Sequence, residues 1–358
     1  MAGPFSLDSF IRRLPKVELH LHLEGSVGPE TLRDMAQQKG RLVDETEDWI
    51  EERQRQGFRY PQFSDFLNAF KLLSLLLETP ADYALATRRL VEDLIVQNVR
   101  HAELTLSAGV VLWKKQPLEP IFEAVAEAAH EASRRPGMTV VWIFDAVRQF
   151  GPEQARKVVK SAARFRSQGV AAFGIGGDEV RGPAEAFVEV YREARDLGLH
   201  VTAHAGEWAG PLSVRDAVEL LGAERVGHGT SAARDAATLQ LLAERRIPVE
   251  VCLSSNLATG VIGAIEEHPL PRFLAAGVPV TLNSDDPAMF ATNLEEEMKM
   301  AVRHFGLSRE DLVRLAQNAI RGAFLAEHEH TALLDELGRA AGIAPLSARA
   351  SQVDQRGL

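Results

Sequence analysis

The chain has a single cysteine in 358 residues, and that scarcity removes two kinds of architecture at once. Cys252 lies in the apolar run VEVCL, a core position, so neither a disulfide framework nor a cysteine-based zinc site can be assembled within the chain. There is no apolar run of membrane-spanning length, and the N-terminal MAGPFSLDSFIRRLPK lacks the apolar stretch of a signal peptide. A soluble, cytoplasmic protein with no membrane partner is therefore expected. Positive charge is in deficit: 40 Lys and Arg stand against 50 Asp and Glu, a net charge of −10. That balance argues against a surface that tracks phosphates, and so against nucleic acid as a partner. A small-molecule substrate is the better expectation. What is present is apolar content of 46%, enough for a large core; a single domain of this length is most naturally an α/β barrel, with two ordinary domains as the alternative.

Eight short β-rich runs recur along the chain: VELHLHLE (17–24), HAELTLS (101–107), TVVWIFDAV (139–147), VAAFGIGGDE (170–179), HVTAHAGE (200–207), RVGHGT (225–230), IPVEVCLSSN (247–256) and VPVTLNSDD (278–286). Segments of helical period such as PAEAFVEVYREARDLG and DAATLQLLAERR separate the later ones. Eight βα units predict a (β/α)8 TIM barrel over residues 1–345, because parallel strands with helical crossovers bury a continuous sheet and eight of them close it. A doubly wound open sheet is the structural alternative. The interval between runs one and two is about twice an ordinary βα repeat and helical in pattern, which predicts an insertion over about 28–98 at the barrel mouth. Phe58, Phe63, Phe66 and Phe70 are among its apolar groups; most of them are read as glue between the inserted helices. Residues 346–358, SARASQVDQRGL with the leucine before it, are read as a frayed tail.

His20 and His22 share one face of the first run, since residues i and i+2 of a strand point the same way. A single H-x-H is more often a solvated polar face, so the other runs decide. They end in Gly177, Asp178 and Glu179; His204 and Glu207; His228; and Asp285 and Asp286. Barrel enzymes place their chemistry at these C-terminal strand ends. His20, His22, His204 and Asp285 form a three-nitrogen, one-oxygen donor set suited to a single Zn2+ per chain. A purely structural zinc would not need Glu207, His228 and Asp286 beside it. Zinc-bound water is acidified to a pKa of about 7 and then requires an electrophile, a base and an acid. His228 and Glu207 fit the last two roles.

At these residues the chain resembles the adenosine deaminase family, the purine deaminase branch of the amidohydrolase barrels: PKVELHLHLEGS, GIGGDE, HAGE, VGHGT, CLSSN and LNSDDP occur in the family's order. The resemblance implies that His20, His22, His204 and Asp285 hold zinc, that Glu207 protonates N1 of the purine, and that His228 orients and deprotonates the attacking water. It further implies that Asp286 contacts N7, that the Gly177 N–H contacts N3, and that water adds at C6 with loss of ammonia. The chain departs from typical adenosine deaminases at Glu24, where they carry an aspartate that contacts the ribose 5′-hydroxyl. Glu24 resembles relatives that act on free adenine or on 6-aminodeoxyfutalosine, a menaquinone precursor whose 5′ end bears a carboxyphenyl ketone. For that substrate Arg148, in AVRQFG, is a candidate cation at the mouth, with an ordinary surface arginine as the alternative. AELTLSAGVVLWKKQ and AVRQFG look more like aminodeoxyfutalosine deaminases, so a nucleoside is expected, with free adenine as the alternative.

Rival functions are weighed on single features. A binuclear hydrolase would carry a bridging lysine at the end of the fourth run, which instead ends GGDE. Cysteine-ligated nucleobase deaminases need P-C-x-x-C. A silent zinc- or purine-binding protein of the same fold would be expected to have lost Glu207 or His228. The remaining histidines, His101, His130, His200, His268, His304, His328 and His330, are read as structural or surface residues.

Overall fold

Each β-rich run coincides with one strand: β1 (Lys16–His22), β2 (Val99–Leu106), β3 (Thr139–Val147), β4 (Val170–Gly176), β5 (His200–Ala205), β6 (Arg225–His228), β7 (Val249–Val251) and β8 (Val280–Leu282). All neighbours are parallel and pair in sequence order. An open doubly wound sheet would reverse its strand order part-way along; this one does not, and it curls until β8 meets β1. The computed structural model describes residues 6–39, 51–52, 55, 57–134, 137–344 and 346. The EDWIEERQRQG stretch and the tail lie largely outside the described residues; Leu346 is buried. Among the described residues no helix is long and apolar enough to cross a membrane.

The closure between β8 and β1 is made by few atoms. One bridge joins Leu21 to Asp285, and the rest of the seam is carried by side chains. Leu19 N donates to Asn283 Oδ1 at 3.0 Å, and Ser284 N donates to Glu18 Oε1 at 2.9 Å. Glu18 is thereby held in the seam, away from water, and every residue of β1 is buried. Burial pushes the Glu18 carboxyl up to about 7 against the hydrogen bonds from Ser284.

The helices form the outer ring. The helix Pro152–Arg164 buries Ala155, Val158, Val159 and Ala162, the i, i+3, i+4, i+7 stripe that an amphipathic sequence turns to a sheet. The inserted helices Pro29–Gln38, Phe63–Leu76 and Pro80–Val96 lie between β1 and β2. The last of these starts sharply because Thr79 and Asp82 form a reciprocal capping box with Pro80 in the first turn.

Under the site lies a buried ion network. Arg225 donates from Nε to Glu250 Oε1 and from a terminal nitrogen to Glu103 Oε2, both at 2.6 Å, and to the Gly322 carbonyl at 2.8 Å. Such a network adds little net stability over an apolar core, but losing one partner is costly. Its bearing on the site is that Glu250 has a second oxygen pointing at His20.

Candidate active site

The barrel brings the sequence-predicted residues together at the C-terminal ends of its strands. His20 Nε2 lies 3.3 Å from Asp285 Oδ1, His22 Nε2 lies 3.4 Å from the same oxygen, and His22 Nε2 is 3.3 Å from His204 Nε2. His228 Nε2 lies 3.8 Å from the other carboxylate oxygen of Asp285 and 3.7 Å from Glu207 Oε2. His228 and Asp285 both have left-handed backbone, φ 60° and 64°, a conformation that costs a non-glycine residue energy and that clusters at functional sites. Close approach to the cluster requires glycine at two points. A Cβ at Gly227 would fall 2.7 Å from His20 Cε1, and one at Gly25 would fall 1.7 Å from Asp286 Oδ1.

The donor chemistry fits a metal. His20 Nδ1 is bonded to Glu250 Oε2 at 2.8 Å and His204 Nδ1 to the Ile175 carbonyl at 3.2 Å. Both partners are acceptors, so each ring keeps its proton on Nδ1 and turns a lone pair inward on Nε2. His20 Nε2 is buried with no hydrogen-bond donor facing it. A lone pair set against a carboxylate oxygen at 3.3 Å calls for a cation between them. With no cation a proton serves: burial opposes the charge, but bonds to Asp285 and Glu250 outweigh it and hold His20 well above the usual histidine range. Among the described residues, potential ligand atoms of His20, His204, His228 and Asp285 all lie within 4.8 Å of one another. That set takes in His228 where the sequence reading placed His22. His22 Nε2 stands nearer to Asp285, 3.4 Å from Oδ1 against 3.8 Å from Oδ2 for His228 Nε2, and lies 3.3 Å from His204 Nε2.

Around this cluster stand acids held in their protonated range. Desolvation, then the charges of Asp285 and Glu179, push Glu207 well above the usual carboxyl range. Desolvation and Asp285 do the same to Asp286, whose Oδ1 is buried without a partner. Two further residues shape the site, Glu179, which the sequence placed at a strand end without a role, and Asp145, which it missed. Glu179 clamps the loop after β5, accepting from the backbone of Gly206 at 2.7 Å, Glu207 at 2.9 Å and Trp208 at 2.8 Å. Its only sequence signal was the acid ending GGDE. Asp145, on β3, faces the cavity between Gly174 and Gly176, and burial pushes it up to about 8. His268, read as a structural or surface residue, is buried and reaches His228 through Asn256.

The cavity above the cluster is lined by His22, Gly177, His204, Glu207, His228, Asp285 and Asp286. Phe63, Phe66, Phe70 and Lys71 of the inserted helix, with Trp113 and Phe150 beyond the ends of β2 and β3, line the rest, and the Phe70 ring centre lies 6.3 Å from that of His22. Phe63, Phe66 and Phe70 thus wall the cavity instead of only gluing the inserted helices; the spacing i, i+3, i+7 puts them on one helix face, together with Ser74. Phe58 does not line it. Arg148, the expected cation at the mouth, is turned away. It is buried and donates to the carbonyls of Gly182 at 2.5 Å and His204 at 2.8 Å. Asp145 and Val147 face the cavity from β3, whereas Arg148 opens the 3-10 turn Arg148–Phe150 that follows the strand, where its guanidinium is taken up by those two carbonyls. Glu24 also stays behind the wall. Its extra methylene lets Oε1 accept from Ser107 N at 3.1 Å, and Ser107, not Glu24, lines the cavity. Burial pushes Glu24 up to about 7.

Comparison with known proteins agrees with this arrangement. The chain matches the family described as Adenosine deaminase over residues 15–340. It is 37% identical over 336 residues to the aminodeoxyfutalosine deaminase of Streptomyces coelicolor, covering 93% of this chain and 86% of that protein. Among solved structures, the adenine deaminase of Arthrobacter aurescens superposes with TM-score 0.85 at 28% identity, covering 91% of this chain and 98% of its own. An amidohydrolase from Burkholderia ambifaria with bound Zn superposes with TM-score 0.84 at 27% identity, covering 98% of this chain and 96% of its own.

Proposed function

The chain belongs to the adenosine deaminase family and is a hydrolytic deaminase of purines; from its cavity we propose that the substrate is an adenine nucleoside enlarged at its 5′ end, 6-aminodeoxyfutalosine, and that the site holds one zinc. The products are the 6-oxo purine and ammonia.

The far end of the cavity carries this reading. Trp113 and Phe150 stack there with centroids 5.6 Å apart and planes 15° apart, and Lys71 Nζ lies 6.0 Å from the Trp113 ring centre. Lys71 is the only lysine or arginine among the described lining residues. An aromatic wall with one cation suits an aryl carboxylate, and the carboxyphenyl ketone at the 5′ end of 6-aminodeoxyfutalosine is such a group. Free adenine would leave this end empty. The Streptomyces coelicolor relative, named for the same substrate, supports the reading.

At the purine end, the three-histidine, one-carboxylate donor set of His20, His22, His204 and Asp285 favours zinc over harder cations. The bound Zn in the Burkholderia ambifaria neighbour agrees. When bound, zinc supplies a water acidified toward neutrality. Glu207 enters protonated and donates to N1, which withdraws electrons from C6 as water adds. His228 orients the water. Protonated Asp286 donates to N7 and the Gly177 N–H meets N3, fixing the plane of the base. The test is kcat/KM for 6-aminodeoxyfutalosine, adenosine and adenine on one preparation. The first should be highest and adenosine weaker; free adenine as best substrate would overturn the nucleoside reading.

A further inference from the structure

His268 has no part in the chemistry above, yet it is buried and wired to the site. The wiring starts from a group whose direction is fixed: the backbone N–H of Leu270 donates to His268 Nδ1 at 3.0 Å. An N–H aimed at a ring nitrogen needs a lone pair there, so His268 is neutral with its proton on Nε2. Nε2 lies 3.2 Å from Asn256 Oδ1 and donates to it. That orients the amide, whose Nδ2 lies 3.1 Å from His228 Nδ1 and must donate in turn. Reversing the amide would set its NH2 against the His268 Nε2–H and leave buried donors without an acceptor.

We propose that His268, acting through Asn256, is a positioning residue that locks His228 in the Nε2–H tautomer, so that His228 meets the cavity as a hydrogen-bond donor. The site then sorts its histidines by what stands behind Nδ1. Acceptors behind His20 and His204 bare their Nε2 for a cation, while a donor behind His228 keeps its Nε2 protonated. Neutral His228 in this form neither ligates through Nε2 nor takes a proton there. It holds water by donating to the oxygen, and the deprotonating role that the family resemblance implied for His228 is closed to this tautomer. The inference does not depend on which adenine compound is deaminated.

The test uses metal-loaded protein labelled with 15N-histidine, with the His228 signals assigned by comparison with His228→Gln. The wild type should show a bare Nδ1 and a protonated Nε2. His268→Gln keeps a donor for Asn256 Oδ1 and should keep that spectrum and most of kcat. His268→Leu should mix the tautomers and lower kcat roughly 10- to 100-fold with KM and metal content unchanged, the usual scale for an outer partner of a site residue. Asn256→Asp offers His228 only an acceptor and should invert it to Nδ1–H. A wrong tautomer in a serine-protease triad costs about 10⁴ in kcat, so its loss should be the larger. A protonated Nδ1 in the wild type, wild-type kcat in His268→Leu, or His268→Gln as impaired as His268→Leu each overturns the proposal. If His268→Leu does not fold, the wild-type and Asn256→Asp spectra decide.

Discussion

His22 and Asp285 are joined twice: the His22 N–H donates to the Asp285 carbonyl at 2.8 Å, and His22 Nε2 lies 3.4 Å from Asp285 Oδ1. The first link is part of the seam that closes the barrel, completed by Asp285 N donating to the His20 carbonyl at 3.1 Å. The second belongs to the cluster that can hold a metal. Closure and the proposed ligand geometry therefore share residues, His22 on β1 and Asp285 in the bridge that joins β1 to the segment after β8.

Asp285→Ala should for that reason lose more than a ligand. A carboxylate proposed to hold the metal disappears, and His20 and His22 lose the counter-charge that faces them at 3.3 and 3.4 Å. Elemental analysis should show metal content falling to near zero. Thermal unfolding should drop at least as far as in wild type stripped by a chelator, since a ligand at 1,000 times its Kd contributes about 4 kcal/mol to stability. A variant that keeps stoichiometric metal would remove Asp285 from the ligand set.

Glu207→Gln should keep metal and fold but lose about 10²- to 10⁴-fold in kcat, because the amide keeps the shape and cannot deliver a proton. The pH dependence follows in sign. Desolvation first, then Asp285 and Glu179, raise the Glu207 pKa well above its ordinary value, so the active, protonated form persists above the usual carboxyl range. Activity should be retained on the acid side of that raised pKa and fall as pH climbs through it. The check is a kcat/KM profile in wild type and variant. The idea fails if the residual activity of the variant has the same alkaline limb.

Glu250→Gln tests the support beneath His20. Its Oε2 fixes the His20 Nδ1–H, and its Oε1 receives Arg225. An amide at this place can satisfy only one of the two. Metal affinity should weaken about 10- to 100-fold in a competition titration with a chelator. Unfolding of the metal-free protein should also be easier by about 3–5 kcal/mol, the cost of stranding one partner of a buried ion pair. Unchanged affinity would show that His20 is oriented by the barrel alone.

Much of this was legible in the sequence, for reasons that can be named. The β-rich runs were long enough, and alternated clearly enough, to mark every strand, and the barrel topology then placed His20, His204, His228 and Asp285 at one end. Arg148 was misplaced because β3 ends at Val147, and the direction of Arg148 is set by the 3-10 turn Arg148–Phe150 that follows, which no alternation along the strand predicts. Glu250 was also within reach, since a lone carboxylate in the short apolar run VEV has to find a buried partner. The spacing of Phe63, Phe66 and Phe70 marked one helix face, but which way that face turns depends on how the insertion docks. His268 and Asn256 were out of reach, because the link from Leu270 to His228 joins segments whose proximity only the closed barrel creates.

Lys71 decides how far the aryl-carboxylate reading can be pressed. It is an exposed side chain on the inserted helix Phe63–Leu76, beside Trp113, so its attraction for an anion is screened by water, and an exposed pair contributes about 0.2–1 kcal/mol. Lys71→Ala should accordingly lower kcat/KM for 6-aminodeoxyfutalosine only a few-fold, and raising ionic strength should reduce the wild-type value toward that of the variant, since screening acts on the same charge. Trp113→Ala should cost more, because the lost stacking surface is not screened by salt. Adenine, which does not reach this end of the cavity, should be turned over equally by all three proteins. If Lys71→Ala and Trp113→Ala instead change adenine and 6-aminodeoxyfutalosine in step, the far end of the cavity does not read the 5′ substituent, and the nucleoside assignment loses its structural basis.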